Sequence, residues 1–428
     1  MNFLIIGNSA ASTSAIEAIR KHDSTSSIVQ LSDEEFPLYS RCLLSYYISN
    51  TIKKETLLYR SKDFHREMNV ELYTGKDFYA TRLDVEKKEV ICKNNRAFSF
   101  DRLLICTGSS PRIPNSIDEG IEGIFAFRNI ADAERILEKI PVTRTAVVMG
   151  GGLIGIKTAL ALNTAGIRTF VVARSNYILS QMIDPSSAQI VSDHLREQDI
   201  QIFFETDVSE VLTRNNKLAG VRLSDGKIID CEILVAAKGV SPNTGLIDGT
   251  SILKDYGILT DAFMRTSNEN IFAAGDVAQA FDIVLEKQAV NALWTSAVQQ
   301  GRIAGLNMVG QKTSYNGAIG MNSLNIGNLS LISFGITHPI DDSQYKVLVN
   351  NQPQRNIYKK VVIGADNRIK GIILLGNNSN AGVLLSLIQR KTDVSLFEEE
   401  LLDDRFNFGK LLKYGGESEM DRYYKGMY

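Results

Sequence analysis

The chain has 428 residues and a formal net charge of −2, and its 44% hydrophobic and 22% charged residues are typical of an ordinary globular protein. This length predicts two or three domains, and the near-neutral charge gives no indication of a nucleic acid or an anionic membrane as partner. No apolar run reaches the roughly 20 residues of a membrane-spanning helix, and the N-terminal residues lack a secretory pattern. We therefore expect a cytoplasmic protein with no membrane span.

The N-terminal segment has the pattern of a strand, a small-residue turn and a helix, followed by a second apolar strand. Its turn, GNSAAS at 7–12, keeps the first glycine of a dinucleotide-binding GxGxxG motif, but Ser9 and Ser12 replace the other two glycines. Small residues still allow a pyrophosphate to approach the helix N-terminus, and an ordinary βα turn is the alternative. The residues expected at the ligand are Gly7, Ser9, Ala10 and Ala11.

The CLLSYYI stretch that follows contains the first of four cysteines, which are Cys42, Cys92, Cys106 and Cys231. They form no CxxC motif and the four histidines are scattered, so the sequence predicts no metal site. Redox chemistry must then depend on an organic cofactor, a lone thiol, or both. We interpret the last three cysteines as structural.

A second strand–turn–helix unit lies in the middle of the chain and has a complete GxGxxG motif, GGGLIG at 150–155. Its first glycine allows the tight turn, the second lets a pyrophosphate approach, and the third permits close packing of helix on strand. The residues expected at a dinucleotide are Gly150, Gly152, Leu153, Ile154 and Gly155.

The strand that follows this unit ends in Ala173-Arg174-Ser175. An NAD site usually has an acid here for the ribose 2′-hydroxyl, and no carboxylate is present. Arg174 could instead bind a 2′-phosphate through two hydrogen bonds, or it could be a solvated residue at the strand end. The sequence therefore favours NADP(H) and leaves NAD(H) open.

Two further stretches, LLICTGSSPRIP at 103–114 and TSNENIFAAGDVA at 266–278, resemble the second and third FAD motifs of the FAD-dependent pyridine nucleotide–disulfide oxidoreductase superfamily. The resemblance implies an α/β fold of the glutathione-reductase type, with two Rossmann-like dinucleotide-binding domains and a C-terminal α+β interface domain. The FAD domain would comprise 1–114 and 246–320, the NAD(P) domain 115–245, and the interface domain 321–428. FAD and either NADP(H) or NAD(H) are the implied cofactors.

The same resemblance implies roles for individual residues. Asp276, after Gly275, would accept a ribityl hydroxyl, and Ser32 or Asp33 would contact the adenosine ribose. Trp294, at the start of a predicted helix, would lie near the isoalloxazine, with core packing as its alternative. The other residues expected at the cofactors are Arg41, Thr107, Gly108, Arg112 and Gly239.

FPLYSRCLLSYYIS at 36–49, GGGLIGIK at 150–157 and the C-terminal stretches resemble NADH:rubredoxin reductases and the FAD/NAD part of nitrite reductases. This branch implies electron transfer to an iron–sulfur protein, as a separate carrier or as a subunit of a complex, in a homodimer or hetero-oligomer. Lys157 would place a cation near the flavin N5, or it would be an exposed lysine on an amphipathic helix.

Cys42 lies where coenzyme A disulfide reductases have a redox-active cysteine and where the rubredoxin reductase branch usually has proline. One alternative function is therefore a thiol-based disulfide reductase or NAD(P)H oxidase/peroxidase that uses Cys42. Otherwise Cys42 would be a small buried residue that fills the space of the proline. A third alternative, a non-catalytic nucleotide-binding sensor, is supported only by the weakened first glycine motif.

Overall fold

The computed structural model describes residues 1–339 and 342–411, so the last residues of the expected interface domain lie outside the described part of the chain. The described chain forms two compact units. The first comprises 1–176 and 199–318, and the second comprises 177–198 together with the residues from 319 onward. The expected fold class, two Rossmann-like domains with a C-terminal α+β domain, is confirmed.

The first unit contains a five-stranded parallel sheet that begins at the N-terminus. In spatial order its strands are Ile271–Ala273, Arg102–Ile105, Asn2–Ile6, Ser27–Ser32 and Glu71–Thr74. In the first three of these strands the apolar side chains are buried on both faces, which is typical of a parallel sheet covered by helices, whereas those of the edge strand Glu71–Thr74 are half-buried. The N-terminal helix, Ala10–His22, follows the first strand and ends in three basic residues, which suit the negative end of the helix dipole.

A second five-stranded parallel sheet in the same unit carries the GGGLIG turn. In spatial order its strands are Gln201–Phe203, Arg168–Val172, Thr145–Met149, Ile233–Ala236 and Ile124–Ala126. The turn joins the central strand to the helix Leu153–Thr164, which we call the glycine-motif helix. Dinucleotides bind at the carboxyl ends of such strands, so this edge positions the expected ligand residues.

Smaller elements complete the first unit. Its short sheets comprise Val208–Arg214, Lys217–Leu223 and Ile228–Asp230; Ala80–Asp84, Glu89–Cys92 and Ala97–Ser99; Ile258–Leu259, Ala278–Asp282 and Lys287–Ala289; and Ser109–Pro111 with Val240–Pro242. Its other helices are Leu44–Ile48, Phe64–Glu67, Ile130–Lys139 and Trp294–Met308. The pair formed by Ser109–Pro111 and Val240–Pro242 is antiparallel and joins two segments that are distant in the sequence.

The second unit is built on a five-stranded antiparallel sheet. In spatial order its strands are Met321–Ile326, Leu329–Gly335, Ile369–Leu375, Ile357–Gly364 and Tyr345–Gln352, and its helices are Pro185–Glu197, Ala381–Gln389 and Phe408–Leu411. Asp184, the N-cap of the first of these helices, accepts hydrogen bonds from Lys360 Nζ at 2.9 Å and Tyr358 Oη at 2.5 Å. This buried pairing explains why 177–198 groups with the C-terminal sheet.

No helix in the described ranges is long and apolar enough to cross a membrane. The longest described helix, Trp294–Met308, instead packs against the N-terminal helix. Glycines on the longer helix make the close approach possible: a Cβ on Gly301 would lie 2.0 Å from the backbone oxygen of Ala11, and one on Gly305 would lie 2.5 Å from that of Ala15. The two helices therefore touch through backbone rather than through side chains.

Gly301→Ala is expected to lower the free energy of unfolding by about 3 kcal/mol, because the added methyl group overlaps backbone that can yield only by separating the two helices. Denaturant titration followed by circular dichroism measures the change. Gly382→Ala is the matched control, since Gly382 is also helical and a Cβ there would have no atom within 4 Å. The control should be neutral or stabilising by up to about 1 kcal/mol, and equal losses in both variants would contradict the packing argument.

Candidate active site

The GGGLIG turn has the geometry that a dinucleotide requires. Gly150 has φ +133° and a Cβ there would lie 2.2 Å from the carbonyl oxygen of Ala237. A Cβ on Gly155 would lie 1.9 Å from the oxygen of Gly150, so only glycine permits this contact between helix and turn. Gly152, the N-cap residue, has no atom within 4 Å of a Cβ, which leaves open space over the helix N-terminus. The first turn of the helix has no acidic residue, and the turn therefore fits a pyrophosphate.

Leu153 and Ile154 form the first turn of the glycine-motif helix, and Ile154 is exposed despite its large apolar side chain. Arg174 lies just after the end of the neighbouring strand, Arg168–Val172, and its side chain is 77% exposed. Its Nε lies 3.6 Å from Asp207 Oδ2. The residues that end this strand include no carboxylate, as the sequence indicates, but the structure places Asp207, which follows the adjacent strand of the sheet, beside Arg174. The strand order, which brings these ends together, was the missing information.

The GNSAAS turn is equally constrained at its start. Gly7 has φ +110°, and a Cβ there would lie 2.1 Å from the oxygen of Cys106. Ser12, at the position of the third glycine, accepts a hydrogen bond from the Ser9 N–H at 2.9 Å, so a serine pair caps the helix. Ala10 and Ala11 are buried at its first turn, where there is no acidic side chain. The turn thus fits an FAD pyrophosphate with serines in place of two glycines.

Polar side chains lie behind this turn. Gln30 donates to the Gly7 oxygen at 2.7 Å and to Asn8 Oδ1 at 3.2 Å, and His65 Nε2 lies 3.2 Å from the same Asn8 oxygen. Burial lowers the pKa of His65, so the ring is neutral at neutral pH. Gln30 Oε1 is buried and has no hydrogen-bond partner in the described residues. A buried acceptor beside the turn is compatible with a ligand that supplies a donor.

Asp276 lies at the start of a turn after the strand Ile271–Ala273, where Gly275 has φ +81°. Its Oδ2 accepts hydrogen bonds from Ser109 Oγ at 2.8 Å and from Arg128 Nη2 at 2.6 Å. The Gly275 N–H donates to the buried Gln300 side chain at 2.9 Å. The carboxylate is therefore held in one orientation, as a group that accepts a ribityl hydroxyl must be.

Sequence reasoning missed Arg128 and Ser109. Arg128 follows the edge strand Ile124–Ala126 of the second sheet, whereas Asp276 follows an edge strand of the first. No motif surrounds Arg128. Its one sequence signal is that a cation directly precedes Asn129, the N-cap of the helix Ile130–Lys139. The ion pair connects the two sheets at the expected flavin site.

Arg41, expected at the cofactor, binds neighbouring protein groups. It forms an ion pair with Glu34 and donates to the Arg128 backbone oxygen at 3.1 Å. Of the two candidates for the adenosine ribose, Ser32 is buried and its hydroxyl bonds the backbone of Glu34, while Asp33 is exposed. Asp33 is thus the more accessible candidate.

Thr107, Gly108 and Gly239 lie where the two Rossmann sheets are linked. Thr107 Oγ1 donates to the Asn243 oxygen at 2.8 Å, and no atom lies within 4 Å of a Cβ on Gly108 or Gly239. Arg112 donates to Ser241 Oγ at 2.8 Å and to Tyr256 Oη at 2.6 Å. The Arg112 guanidinium therefore hydrogen-bonds to protein groups beside the strand pair that links the two sheets.

Cys42 is exposed, so the interpretation of this cysteine as a buried replacement for proline was wrong. It lies in the 3-10 turn Arg41–Leu43, and the short helix that follows packs against the glycine-motif helix. Lys157 lies on that helix, half-buried, and no described residue forms an ion pair with it. These two residues thus belong to segments that are in contact.

Trp294 packs edge-on against Tyr59, with ring centroids 5.0 Å apart, and lies against the core cluster of the first sheet. Trp294 therefore has a packing role in the core of the first unit. The remaining cysteines are shielded. Burial raises the pKa of Cys231 to about 12, and it also raises the pKa values of Cys92 and Cys106, so none is a ready thiolate.

Two parallel sheets in the first unit, each with a glycine-containing turn that leads into a helix N-terminus, are the arrangement of an NAD(P)H-dependent flavoenzyme of the two-dinucleotide type. Residues 1–301 match the model of the pyridine nucleotide-disulphide oxidoreductases, and 321–392 match the C-terminal domain of rubredoxin NAD+ reductase. The chain belongs to the pyridine nucleotide-disulphide oxidoreductase family. It is thus an oxidoreductase whose cofactors are FAD and NAD(P)H, as the sequence predicted.

Several relatives of this chain are rubredoxin reductases or nitrite reductases, the branch that the sequence indicated. A nitrite reductase [NAD(P)H] of Bacillus subtilis is 27% identical over 394 residues, with 92% of this chain and 48% of the relative covered. An NADH-rubredoxin oxidoreductase of Clostridium acetobutylicum is 27% identical, with 88% and 91% covered. The assimilatory nitrate reductase electron transfer subunit of Bacillus subtilis is 26% identical, with 94% and 51% covered. The chain therefore spans about half the length of the two Bacillus relatives.

Among solved structures, an NAD-dependent persulfide reductase from A. fulgidus is similar with a TM-score of 0.86 and 25% identity, over 92% of this chain and 78% of that one. An engineered NADPH oxidase derived from the Lactobacillus brevis NADH oxidase, bound to NADPH, has a TM-score of 0.85 and 21% identity, over 95% and 94% of the two chains. The second likeness shows the fold.

Proposed function

We propose that this chain takes a hydride from a nicotinamide nucleotide, with a preference for NADPH, and passes electrons to an iron–sulfur or rubredoxin-type protein in the cytoplasm. The observation that carries the proposal is the match of 321–392 to the C-terminal domain of rubredoxin NAD+ reductase. Two further features support it: the two glycine turns would hold the nucleotides that bring electrons in, and the sequence has no CxxC motif with which to hold an iron–sulfur cluster of its own. The acceptor would be a separate carrier or a partner subunit, and the chain would act as a homodimer or in a hetero-oligomer.

The preference for NADPH rests on the end of the strand Arg168–Val172. Arg174 is exposed there and is held only loosely, at 3.6 Å, by Asp207. The consecutive Ala173-Arg174-Ser175 is the tripeptide that three of the replacements create in the engineered, NADPH-bound oxidase. A guanidinium with free donors can bind a 2′-phosphate, which the 2′-hydroxyl of NADH cannot imitate.

FAD supplies a centre that accepts a hydride and releases electrons singly or in pairs. The chain's own groups hold and tune that centre in this proposal. The turn at Gly7 receives the pyrophosphate, and Asp276, fixed by Arg128 and Ser109, orients the ribityl chain. Lys157 adds positive charge on the helix that packs against the Cys42 segment, where developing negative charge would be stabilised.

The direct test is reduction of the purified flavoprotein by NADPH and by NADH, followed by mixing with ferredoxin- and rubredoxin-type acceptors. Rapid-mixing absorbance should show flavin reduction and then acceptor reduction, faster with NADPH. Purification from the native source should bring an iron–sulfur protein with the chain. The proposal would lose its basis if no such acceptor were reduced and no partner co-purified.

A thiol-based disulfide or persulfide reductase is the second candidate, because Cys42 is exposed on a segment that contacts the glycine-motif helix. The likeness to the persulfide reductase also favours it. In such an enzyme the Cys42 thiolate would attack one sulfur of a disulfide and release the other as a thiolate, which leaves a mixed disulfide on Cys42. Two electrons from NAD(P)H, delivered through FAD, would cleave that mixed disulfide, release the second thiol and restore the Cys42 thiolate.

Cys42→Ser distinguishes the two functions. For an iron–sulfur reductase we expect acceptor reduction to stay within about twofold of the wild type, since the thiol takes no part, whereas a thiol mechanism would lose at least about a thousandfold. Steady-state rates with both acceptor classes measure this. Cys231→Ala, which removes a thiol buried among other residues, controls for general effects of cysteine removal. A collapse of iron–sulfur reduction in Cys42→Ser alone would contradict the leading proposal.

A further inference from the structure

Lys238 is a cationic side chain near the GGGLIG turn, but it is not part of that glycine motif. It follows Ala237, whose carbonyl oxygen packs against Gly150, so it begins beside the dinucleotide turn. Its ammonium donates to Asp207 Oδ1 at 2.6 Å. Lys238 follows the strand Ile233–Ala236, and Asp207 follows the strand Gln201–Phe203. Two strands of the sheet lie between these two, and they are followed by the glycine turn and by Arg174. The ion pair therefore crosses the sheet edge where dinucleotides bind.

At this sheet edge the positive side chains outnumber the carboxylates that pair with them. Lys238 is 16% exposed, and Asp207 is the only described group that it binds, although an ammonium has three donors. Arg174 contacts the same carboxylate from the solvent side. Two cations thus share one carboxylate. Glu205, an exposed acid in the same turn, donates its backbone N–H to the Ser175 oxygen at 3.3 Å and forms an ion pair with neither cation.

We propose that Lys238 is a second cationic contact for the 2′-phosphate of NADPH, and that Asp207 is the internal counter-ion which this phosphate displaces from Lys238 and Arg174. A phosphate monoester carries nearly two negative charges and three acceptor oxygens, so it replaces one carboxylate favourably, whereas a 2′-hydroxyl offers no charge. Asp207 in turn keeps the two cations from repelling each other when no nucleotide is bound. The inference rests on the proposed function, because it requires a dinucleotide at the GGGLIG turn.

Binding of two nucleotide fragments to the intact flavoprotein tests the proposal without turnover. Calorimetry with 2′,5′-ADP and with 5′-AMP separates the contribution of the 2′-phosphate from that of the rest of the adenosine site. Lys238→Met, which keeps the apolar stem, should weaken 2′,5′-ADP binding about tenfold and change 5′-AMP binding less than about twofold, since one charge-assisted contact is lost. Lys238→Arg should retain most of the affinity for 2′,5′-ADP.

Two acidic variants complete the design. Asp207→Asn should tighten 2′,5′-ADP binding several-fold, because the competing counter-ion is gone, and Glu205→Gln should leave both fragments within about twofold. Equal weakening of both fragments in Lys238→Met, or no weakening, would overturn the role of Lys238. Weaker 2′,5′-ADP binding in Asp207→Asn would make Asp207 a tether and overturn its role as counter-ion. A wild-type protein that binds 5′-AMP but gains nothing from the 2′-phosphate would refute this inference alone, whereas failure to bind either fragment would refute the proposed nucleotide site itself.

Discussion

Arg128→Met is expected to weaken flavin binding about a hundredfold, because it leaves the Asp276 carboxylate largely buried without its cation. In the structure Asp276 is 14% exposed and is held by Arg128 at 2.6 Å and by Ser109 at 2.8 Å. The Arg128 backbone oxygen also receives a hydrogen bond from Arg41 at 3.1 Å, so the same residue connects the segment before Cys42 to the flavin site. Flavin fluorescence during dilution or dialysis measures the loss.

Two variants separate the charge of Arg128 from its shape. Arg128→Lys keeps the cation but not the planar guanidinium, whose Nη2 donates to Asp276 and to Ser109 Oγ while its Nε donates to the Ser109 backbone oxygen, so flavin affinity should be intermediate. Lys139→Met removes an ion pair with Glu122 at the protein surface, 2.7 Å long, and should leave flavin affinity within about twofold. If Arg128→Met kept its flavin as tightly as the wild type, Asp276 would not depend on this ion pair.

Gly155→Ala is expected to abolish reduction of the flavin by NADPH and to destabilise the protein, since its Cβ would lie 1.9 Å from the Gly150 backbone oxygen. Neither the strand nor the start of the helix can move without opening the glycine turn. Overpacking at such a contact typically lowers the free energy of unfolding by about 3 kcal/mol. The rate of flavin bleaching by NADPH and the thermal midpoint should both fall. The flavin itself should remain bound, because its turn belongs to a different sheet.

Gly152→Ala is the informative comparison, because no protein atom lies within 4 Å of the added carbon. Its thermal midpoint should stay at the wild-type value, yet NADPH binding should weaken about tenfold as the methyl group enters the space through which the pyrophosphate approaches. Titration of 2′,5′-ADP and NADPH detects this. If Gly152→Ala bound NADPH normally, the open space over Gly152 would not be the pyrophosphate site.

The amino-acid sequence by itself determined the family, the fold class and the positions of the two glycine turns. These features are local: a tight turn between strand and helix requires residues that tolerate positive φ and lack a Cβ, and Gly7 and Gly150 meet that requirement at fixed distances from apolar runs. The residues of the third FAD-like motif around Asp276 were also identifiable, since the motif is contiguous. The physical demand and its sequence signal lie in the same few residues.

The tertiary structure decided what these positions bind within the protein. Arg128 reaches Asp276, and Lys238 and Arg174 reach Asp207, only because particular strand ends meet at one edge of a sheet. The exposure of Cys42 likewise depends on how the 3-10 turn Arg41–Leu43 and the short helix after it pack, which no residue near Cys42 in the chain reveals. Pairing between segments far apart in the chain is set by strand order and packing, and no local pattern records it. The glycine turns were therefore predictable, while the charges that select and orient their ligands were not.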